Sequence, residues 1–340
     1  MKRNPFCEPR RLPRAAALLC SLPLVGSLFA QESKLSGPVS GYVFEGSARA
    51  LRLVIGVPGA SYLGPAIRSG IDFASVSPDG RLAVIQSEGN LAVAGLGAPD
   101  REASAVQAAA AASRAAWADD SSAVAVWIES SRSLLLWRTG EPAWQALEVS
   151  AGEWQAMAVA SRGEAVLVGL AADGAAALYR LAPGAGSAAL ARLESIAAIA
   201  IGASEAYIAD RTRNEILAMH DWRGSATLSL LANETKGIAD PVGLGLTADS
   251  RTLMVAGAKD RSVTLIDIAS ASPVARLEAD VEPATMQLMA SGERGGQRIF
   301  LLNRPDDSAE ALQVVTASGE PGVFFVPRPV ETVSLNSVEE

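Results

Sequence analysis

A chain of 340 residues with 37 acidic and 29 basic side chains carries a formal charge of −8. It lacks the positive surplus that nucleic acid or an anionic membrane surface demands of a partner. One histidine and two cysteines leave little for thiol chemistry or a His/Cys zinc site.

Residues 1–30 read as a secretory signal. Lys2, Arg3, Arg10, Arg11 and Arg14 form a basic region, residues 15–30 an apolar one, and Ala30 offers a small residue at the cleavage position. The apolar stretch, roughly sixteen residues, is short for a membrane span. Leu28 is larger than the residue preferred near such a cut. Leu18-Leu19-Cys20 makes a poor lipoprotein box, and Leu12-Pro13 after Arg10-Arg11 fits a twin-arginine signal badly. Cleavage would remove both cysteines, Cys7 and Cys20, and leave a more acidic chain. The expectation is an exported protein, periplasmic or extracellular, with residues 31–39 a flexible mature N-terminus. No later apolar run is long enough to predict a span.

From residue 71 a pattern recurs roughly every 41–45 residues. Its turns are Ser77-Pro78-Asp79-Gly80, Ala118-Asp119-Asp120-Ser121, Ala160-Ser161-Arg162-Gly163, Gly202-Ala203-Ser204-Glu205, Thr247-Ala248-Asp249-Ser250 and Ala290-Ser291-Gly292-Glu293. Pro presets φ and Asp or Gly tolerates the tight geometry that follows. After each turn comes a short β-forming run, at 82–85, 123–128, 165–170, 206–209, 252–257 and 299–302. A third strand follows, as from Leu134, Ala177, Glu215 and Val263, and a weaker fourth, as from Ala226 and Val274. Residues 105–116 are rich in alanine and favour helix by propensity. Their place in the repeat predicts a fourth strand and connector, with a short helix as the alternative.

Four local antiparallel strands cannot bury both faces of a sheet. Packing such sheets radially and closing the ring solves this and limits exposed edges. The fold predicted is all-β, a β-propeller of four-stranded antiparallel blades occupying residues 40–330. A sandwich pair and an open solenoid compete less well with this spacing. Residues 41–56 read as a hairpin of a third and a fourth strand, and residues from 322 onward offer one or two strands more. Seven blades, one mixing strands from both termini, fit the length; six blades with an extra hairpin is the alternative. Residues 331–340 are left as a tail or closing strand.

The segments SVSPDGRLAVI at 75–85 and GLTADSRTLMVAGAKDRSVTLIDIAS at 245–270 resemble the YVTN/lactonase-like and WD40-like propeller superfamily. Asp267 matches the aspartate of that family's Val-x-Val-Ile-Asp strand. The likeness spans residues 40–330, is good only over 71–96 and 242–270, and rests on structural motifs. It implies the fold and a choice among scaffold, binding module, lactonase and lyase, without selecting one.

Site chemistry is sparse. The lone His220, beside Asp221 and Trp222, is the only residue that could act as base in a Ser-His-acid triad, and neither a Gly-x-Ser-x-Gly nor an HExxH motif accompanies it. Asp72, Asp119, Asp120, Asp210, Asp240 and Asp249 lie near strand starts or turns. Some could converge at a channel mouth around calcium, which takes hard oxygen ligands; shaping turns explains the same positions. The six tryptophans are Trp117, Trp127, Trp137, Trp144, Trp154 and Trp222. Trp127 and Trp137 fall on strands and are expected in the core. Trp144 and Trp154 flank a connector, where an exposed pair would anchor a peptide or stack on a sugar. Polar loops at 292–297 and 304–310 carry no recognisable chemistry.

Two readings follow. One is a non-enzymatic exported propeller binding a protein, peptide or envelope glycan, through Trp144, Trp154, His220 and Trp222 as surface candidates. The other is a divalent-ion-dependent lactonase-like hydrolase or lyase using channel carboxylates, with Asp72, Asp119, Asp210 and Asp240 as candidate ligands.

Overall fold

The computed structural model describes residues 37–107, 111–289, 298–303, 311–317 and 320–328. Their strands form seven antiparallel sheets, each built from strands consecutive in sequence. The first holds β1 (Val39–Glu45), β2 (Ala50–Val57) and β3 (Ala60–Ser69). The second holds β4 (Phe73–Val76), β5 (Leu82–Ser87), β6 (Asn90–Gly95) and β7 (Ala98–Gln107). The third holds β8 (Ala112–Trp117), β9 (Ala123–Ile128), β10 (Ser133–Arg138) and β11 (Gln145–Leu147). The fourth holds β12 (Glu153–Val159), β13 (Val166–Ala172), β14 (Ala175–Ala182) and β15 (Gly186–Leu193). The fifth holds β16 (Ala198–Ile201), β17 (Ala206–Asp210), β18 (Glu215–His220) and β19 (Thr227–Ala232). The sixth holds β20 (Pro241–Leu246), β21 (Thr252–Gly257), β22 (Ser262–Asp267) and β23 (Ser272–Glu278). The seventh holds β24 (Gln287–Met289), β25 (Ile299–Leu301), β26 (Leu312–Thr316) and β27 (Gly322–Val326).

Burial follows position in the blade. Every residue of β9 is buried, because a second strand has a neighbouring sheet over each face. Fourth strands face solvent: β19 and β23 are largely exposed, which is why their sequences carry a weak signal. Apolar clusters fill each gap between consecutive sheets, from Leu51 with Ile71 and Ala83 between the first and second to Phe300 with Met254 and Leu265 between the sixth and seventh. The ring closes the same way. Val43, Val54 and Leu63 of the first sheet pack with Met289, Leu301 and Val326 of the seventh. Leu63 N donates to Pro327 O at 3.1 Å across that gap, and Arg328 meets Glu45 at 3.3 Å. The chain is a seven-bladed β-propeller.

The repeat is a hydrogen-bonded turn between first and second strands. Ser77 N donates to Leu82 O at 2.8 Å, and Asp79 Oδ1 accepts from Ser77 Oγ at 2.6 Å and Arg81 N at 3.0 Å. Thr247, Asp249 and Arg251 repeat this geometry in the sixth sheet, at 2.7 and 3.1 Å. Ser121 and Ser250 take positive φ, 59° and 56°, at the position where the first copy has Gly80. Neighbouring turns are tied together: Asp79 N donates to Ser121 Oγ at 3.0 Å, and Arg162 N to Ser122 Oγ at 2.8 Å. Small residues let inner strands approach. A methyl group added to Gly243 of β20 would stand 2.5 Å from Met286 Cβ and 2.6 Å from Met286 N.

Two expectations change at the ends. The chain enters β1 at Val39, with Pro38 O already accepting from Gly56 N at 2.7 Å, so the blades begin inside the stretch expected to be a flexible lead. Residues 41–56 form β1 and most of β2, and β3 follows, so the N-terminus contributes three strands instead of a two-stranded hairpin. Alternation within a hairpin does not reveal how many strands precede the first full repeat. The alanine-rich stretch is strand on both sides of residues 108–110, as β7 and β8. The signal segment, the sixth turn, the loops at 292–297 and 304–310 and the tail at 331–340 lie outside the described residues. Among the described residues no helix is long and apolar enough to cross a membrane.

Candidate functional site

The first strands β4, β8, β12, β16, β20 and β24, with β1, surround a central cavity of about 730 Å³. Its walls are largely Ala, Gly and branched aliphatic residues, as the crowding at the ring centre requires. The six first strands run in one direction, so the cavity has two distinct mouths.

At the mouth where first strands begin, Phe73, Arg114, Trp154 and Arg211 line the cavity. The Arg114 guanidinium lies 5.2 Å from the centroid of the Trp154 ring, a cation–π contact between the third and fourth sheets. Phe73 meets Phe44 edge to face, with centroids 6.2 Å apart. Gln155 Oε1 accepts from Ile196 N at 2.8 Å and joins the fourth sheet to the fifth. Arg211 grips Asp240 with two nitrogens, the Nη2–Oδ2 distance being 2.9 Å. That hydrogen bond raises the pKa of the guanidinium above its ordinary value.

The opposite mouth, at the repeat turns, is spanned. Arg298, leading into β25, places Nη2 2.8 Å from Asp119 Oδ2 in the third sheet's turn, and its Nη1 donates to Leu246 O at 3.1 Å. The third and seventh sheets are not neighbours in the ring, so this ion pair crosses the channel.

The candidate carboxylates do not converge. Asp72 pairs with Arg49 at 2.5 Å, Asp240 with Arg211, and Asp119 with Arg298 at the far mouth. Asp210 is fully buried and accepts from Ser195 Oγ at 2.9 Å and from the backbone N–H groups of Glu194 and Arg213, both at 3.2 Å. Asp120 joins two turns by accepting from Ser122 and Ser161. Burial pushes its pKa up, but hydrogen bonds from those hydroxyls and from Ser122 N and Arg162 N outweigh this and hold it below the usual range. Asp249 is lowered mainly by the Thr247 hydroxyl, and Asp267 by that of Ser270. These are turn-shaping bonds. Among the described residues no three His, Cys, Asp or Glu side chains gather as a metal site would require.

The aromatic candidates separate. Trp127 and Trp137 are buried, with their indole N–H groups on Glu129 Oε2 at 2.8 Å and Glu141 O at 3.1 Å. Trp144 packs on the cluster between the second and third sheets, and Trp154 on that between the third and fourth, so they do not form one exposed pair. Trp154 and Trp117 both line the cavity; Trp117 donates its indole N–H to Ser75 O at 3.3 Å, whereas the buried indole N–H of Trp154 has no partner among the described residues. Trp222 is fully buried between the fourth and fifth sheets, beneath the Arg223 guanidinium at 4.0 Å. Its ring offers no surface to a ligand.

His220 stands in a chain of hydrogen bonds. Its Nδ1 lies 2.7 Å from Glu205 Oε1 and its Nε2 2.8 Å from Ser229 Oγ, while Tyr207 donates to Glu205 Oε2 at 2.9 Å. Burial, with Glu205 alongside, raises the Tyr207 pKa. The order acid–imidazole–hydroxyl is that of a hydrolytic triad. Sequence missed Glu205 and Ser229 because the three come from a turn and two strands. Ser229, on the exposed strand β19, lines a cavity of about 370 Å³ together with Leu228, Leu230, Arg213 and Glu215, and His220 and Glu205 stand outside that lining. Arg114 and Arg298 were also missed; only the register of neighbouring strands brings them to a mouth.

No family model matches the sequence, and no curated protein does. Among solved structures the chain is similar to hydrazine synthase of Kuenenia stuttgartiensis, at 10% identity and a TM-score of 0.56, over 86% of this chain and 99% of that one. It is similar to a functionally unknown protein from Desulfotomaculum acetoxidans, at 13% identity and 0.59, over 85% and 99%. A chain of a nidogen/laminin complex matches at 10% identity and 0.50, over 71% and 94%. At such identities the likeness establishes the propeller fold and nothing finer.

Proposed function

We propose that this chain is an exported, non-enzymatic propeller that binds a peptide segment of a protein partner at the channel mouth bearing Arg114 and Trp154. One observation carries the reading: the central cavity has an aromatic and arginine rim at one mouth and an ion pair across the other. Trp and Arg are the residues that most often anchor protein partners in desolvated pockets. A peptide suits the rim better than a sugar, because Arg114 already covers one face of Trp154. A match to a chain of a nidogen/laminin complex agrees with a propeller in protein recognition. Export rests on the basic-then-apolar order of residues 1–30. The channel-carboxylate alternative gains no comparable support, since each candidate aspartate is engaged separately.

The test is capture of a partner by the purified protein, beside Arg114→Glu and Trp154→Ala variants of unchanged thermal stability. A partner held by the parent and lost by both variants supports the proposal. A partner held equally by all three, or turnover of a small substrate with no partner, overturns it.

A further inference from the structure

The central cavity is basic in an acidic chain. Its charged lining among the described residues is Arg114, Asp119, Arg211 and Arg298, within a protein of formal charge −8. Two of these arginines are neutralised. Arg298 lies 2.8 Å from Asp119, and Arg211 grips Asp240 with two nitrogens. Arg114 makes no ion pair among the described residues, and its one hydrogen bond there runs from Nη1 to Ser113 O at 2.8 Å. The Trp154 ring at 5.2 Å attracts the charge but supplies no acceptor oxygen. Most of the guanidinium N–H groups of Arg114 are therefore available to a ligand.

Tyr42 of β1 lines the same cavity, and its hydroxyl makes no hydrogen bond among the described residues. Burial raises the Tyr42 pKa, so the phenol stays protonated at neutral pH and can donate. An unopposed guanidinium and a free hydroxyl between largely apolar walls match an anionic acceptor, whose attraction to the charge is stronger there than in bulk water. Charge decides which anion. A phosphoryl group carries nearly two negative charges and is usually met by a cluster of cations. Here Arg211 and Arg298 already have their carboxylates, and a single further carboxylate balances Arg114.

We propose that the peptide held at this mouth presents a carboxylate to Arg114, with the Tyr42 hydroxyl as a second donor from the first blade. The proposal rests on the reading of the mouth as a peptide site and names the chemistry that the site selects. The carboxylate belongs to an Asp or Glu side chain or to the C-terminus of the peptide. Either offers two oxygens to the fork of guanidinium N–H groups, which a neutral amide cannot match. The acidic character of the whole chain adds to the selectivity, because it repels acidic peptides everywhere except at such a basic spot.

Three pools of short, N-acetylated, random-sequence peptides on the immobilised full-length protein test this. One pool has Asp or Glu fixed at its centre and an amidated C-terminus. A second has Asn or Gln there and the same amide, and a third has Asn or Gln there and a free C-terminal carboxylate. The expected result is retention of the first or third pool about tenfold or more above the second, and the pool retained identifies the source of the carboxylate. Arg114→Gln is expected to abolish that preference, and Tyr42→Phe to reduce it about two- to fivefold. Arg192→Gln is the control, since Arg192 lies on the outer strand β15 and also makes no ion pair among the described residues; it is expected to keep the preference. Equal retention of all three pools, with loss of all three in Trp154→Ala, overturns the carboxylate assignment and leaves the peptide site standing. A preference that survives Arg114→Gln likewise overturns the assignment. Retention of no pool above that seen with Trp154→Ala overturns the peptide site and the assignment together.

Discussion

Arg298 and Asp119 meet at 2.8 Å although 179 residues apart, and their contact joins the seventh blade to the third across one mouth of the channel. The Arg298 side chain reaches over the axis and is held at its other nitrogen by Leu246 O, so it spans that mouth. The pair is partly exposed, so its coupling energy is expected to be modest, about 0.5–1 kcal/mol. A double-mutant cycle of Arg298→Ala and Asp119→Ala, read by urea unfolding, checks this. Additive effects would mean that the pair contributes nothing across the ring.

Gly243→Ala is expected to destabilise the fold by about 1–3 kcal/mol, because the new methyl meets Met286 backbone and must push β20 from β24. Gly97→Ala, with nothing within 4 Å of the added carbon, is the control and is expected to stay within about 0.5 kcal/mol of the parent. Denaturant midpoints of the two variants decide whether inner-strand crowding sets the need for glycine.

The turn belt has a pH dependence of definite sign. Asp120 is held below its ordinary pKa in the folded state, so its bonds to Ser122, Ser161 and Arg162 stabilise fully above the unfolded value, about 4. That contribution is lost as pH falls through the lower folded value. Melting temperatures measured down the acid range should therefore fall less steeply for Asp120→Asn than for the parent. Equal slopes would show that the carboxylate is not what ties the turns.

Ser229, His220 and Glu205 have the spacing of a triad, of which Ser229 alone lines the neighbouring cavity of about 370 Å³. The binding reading predicts that ester hydrolysis by the purified protein is no faster than by Ser229→Ala, and that a fluorophosphonate probe leaves Ser229 unlabelled. Stoichiometric labelling abolished by His220→Ala would move the protein into the hydrolases.

Most of the blade plan was written locally. Ser77 and Asp79 specify their turn through bonds within six residues, and Thr247 with Asp249 repeats them, so each copy announces itself. Second strands such as β9 are buried on both faces and so read as unbroken apolar runs. The site was less legible because it is made between blades. Trp144 and Trp154 are near in sequence, yet the third sheet separates the clusters they join. Trp154 owes its place in the channel to the register of β12, and its partner Arg114 comes from β8.

Site-specific photo-crosslinking tests the central claim most directly. A photoreactive residue at Phe73, on the aromatic and arginine mouth, is expected to give a discrete adduct with a partner protein under native conditions. The same residue at Val274, 61% exposed on the outer strand β23, is expected to give none. Adducts from Val274 but not from Phe73 would contradict binding at the channel mouth.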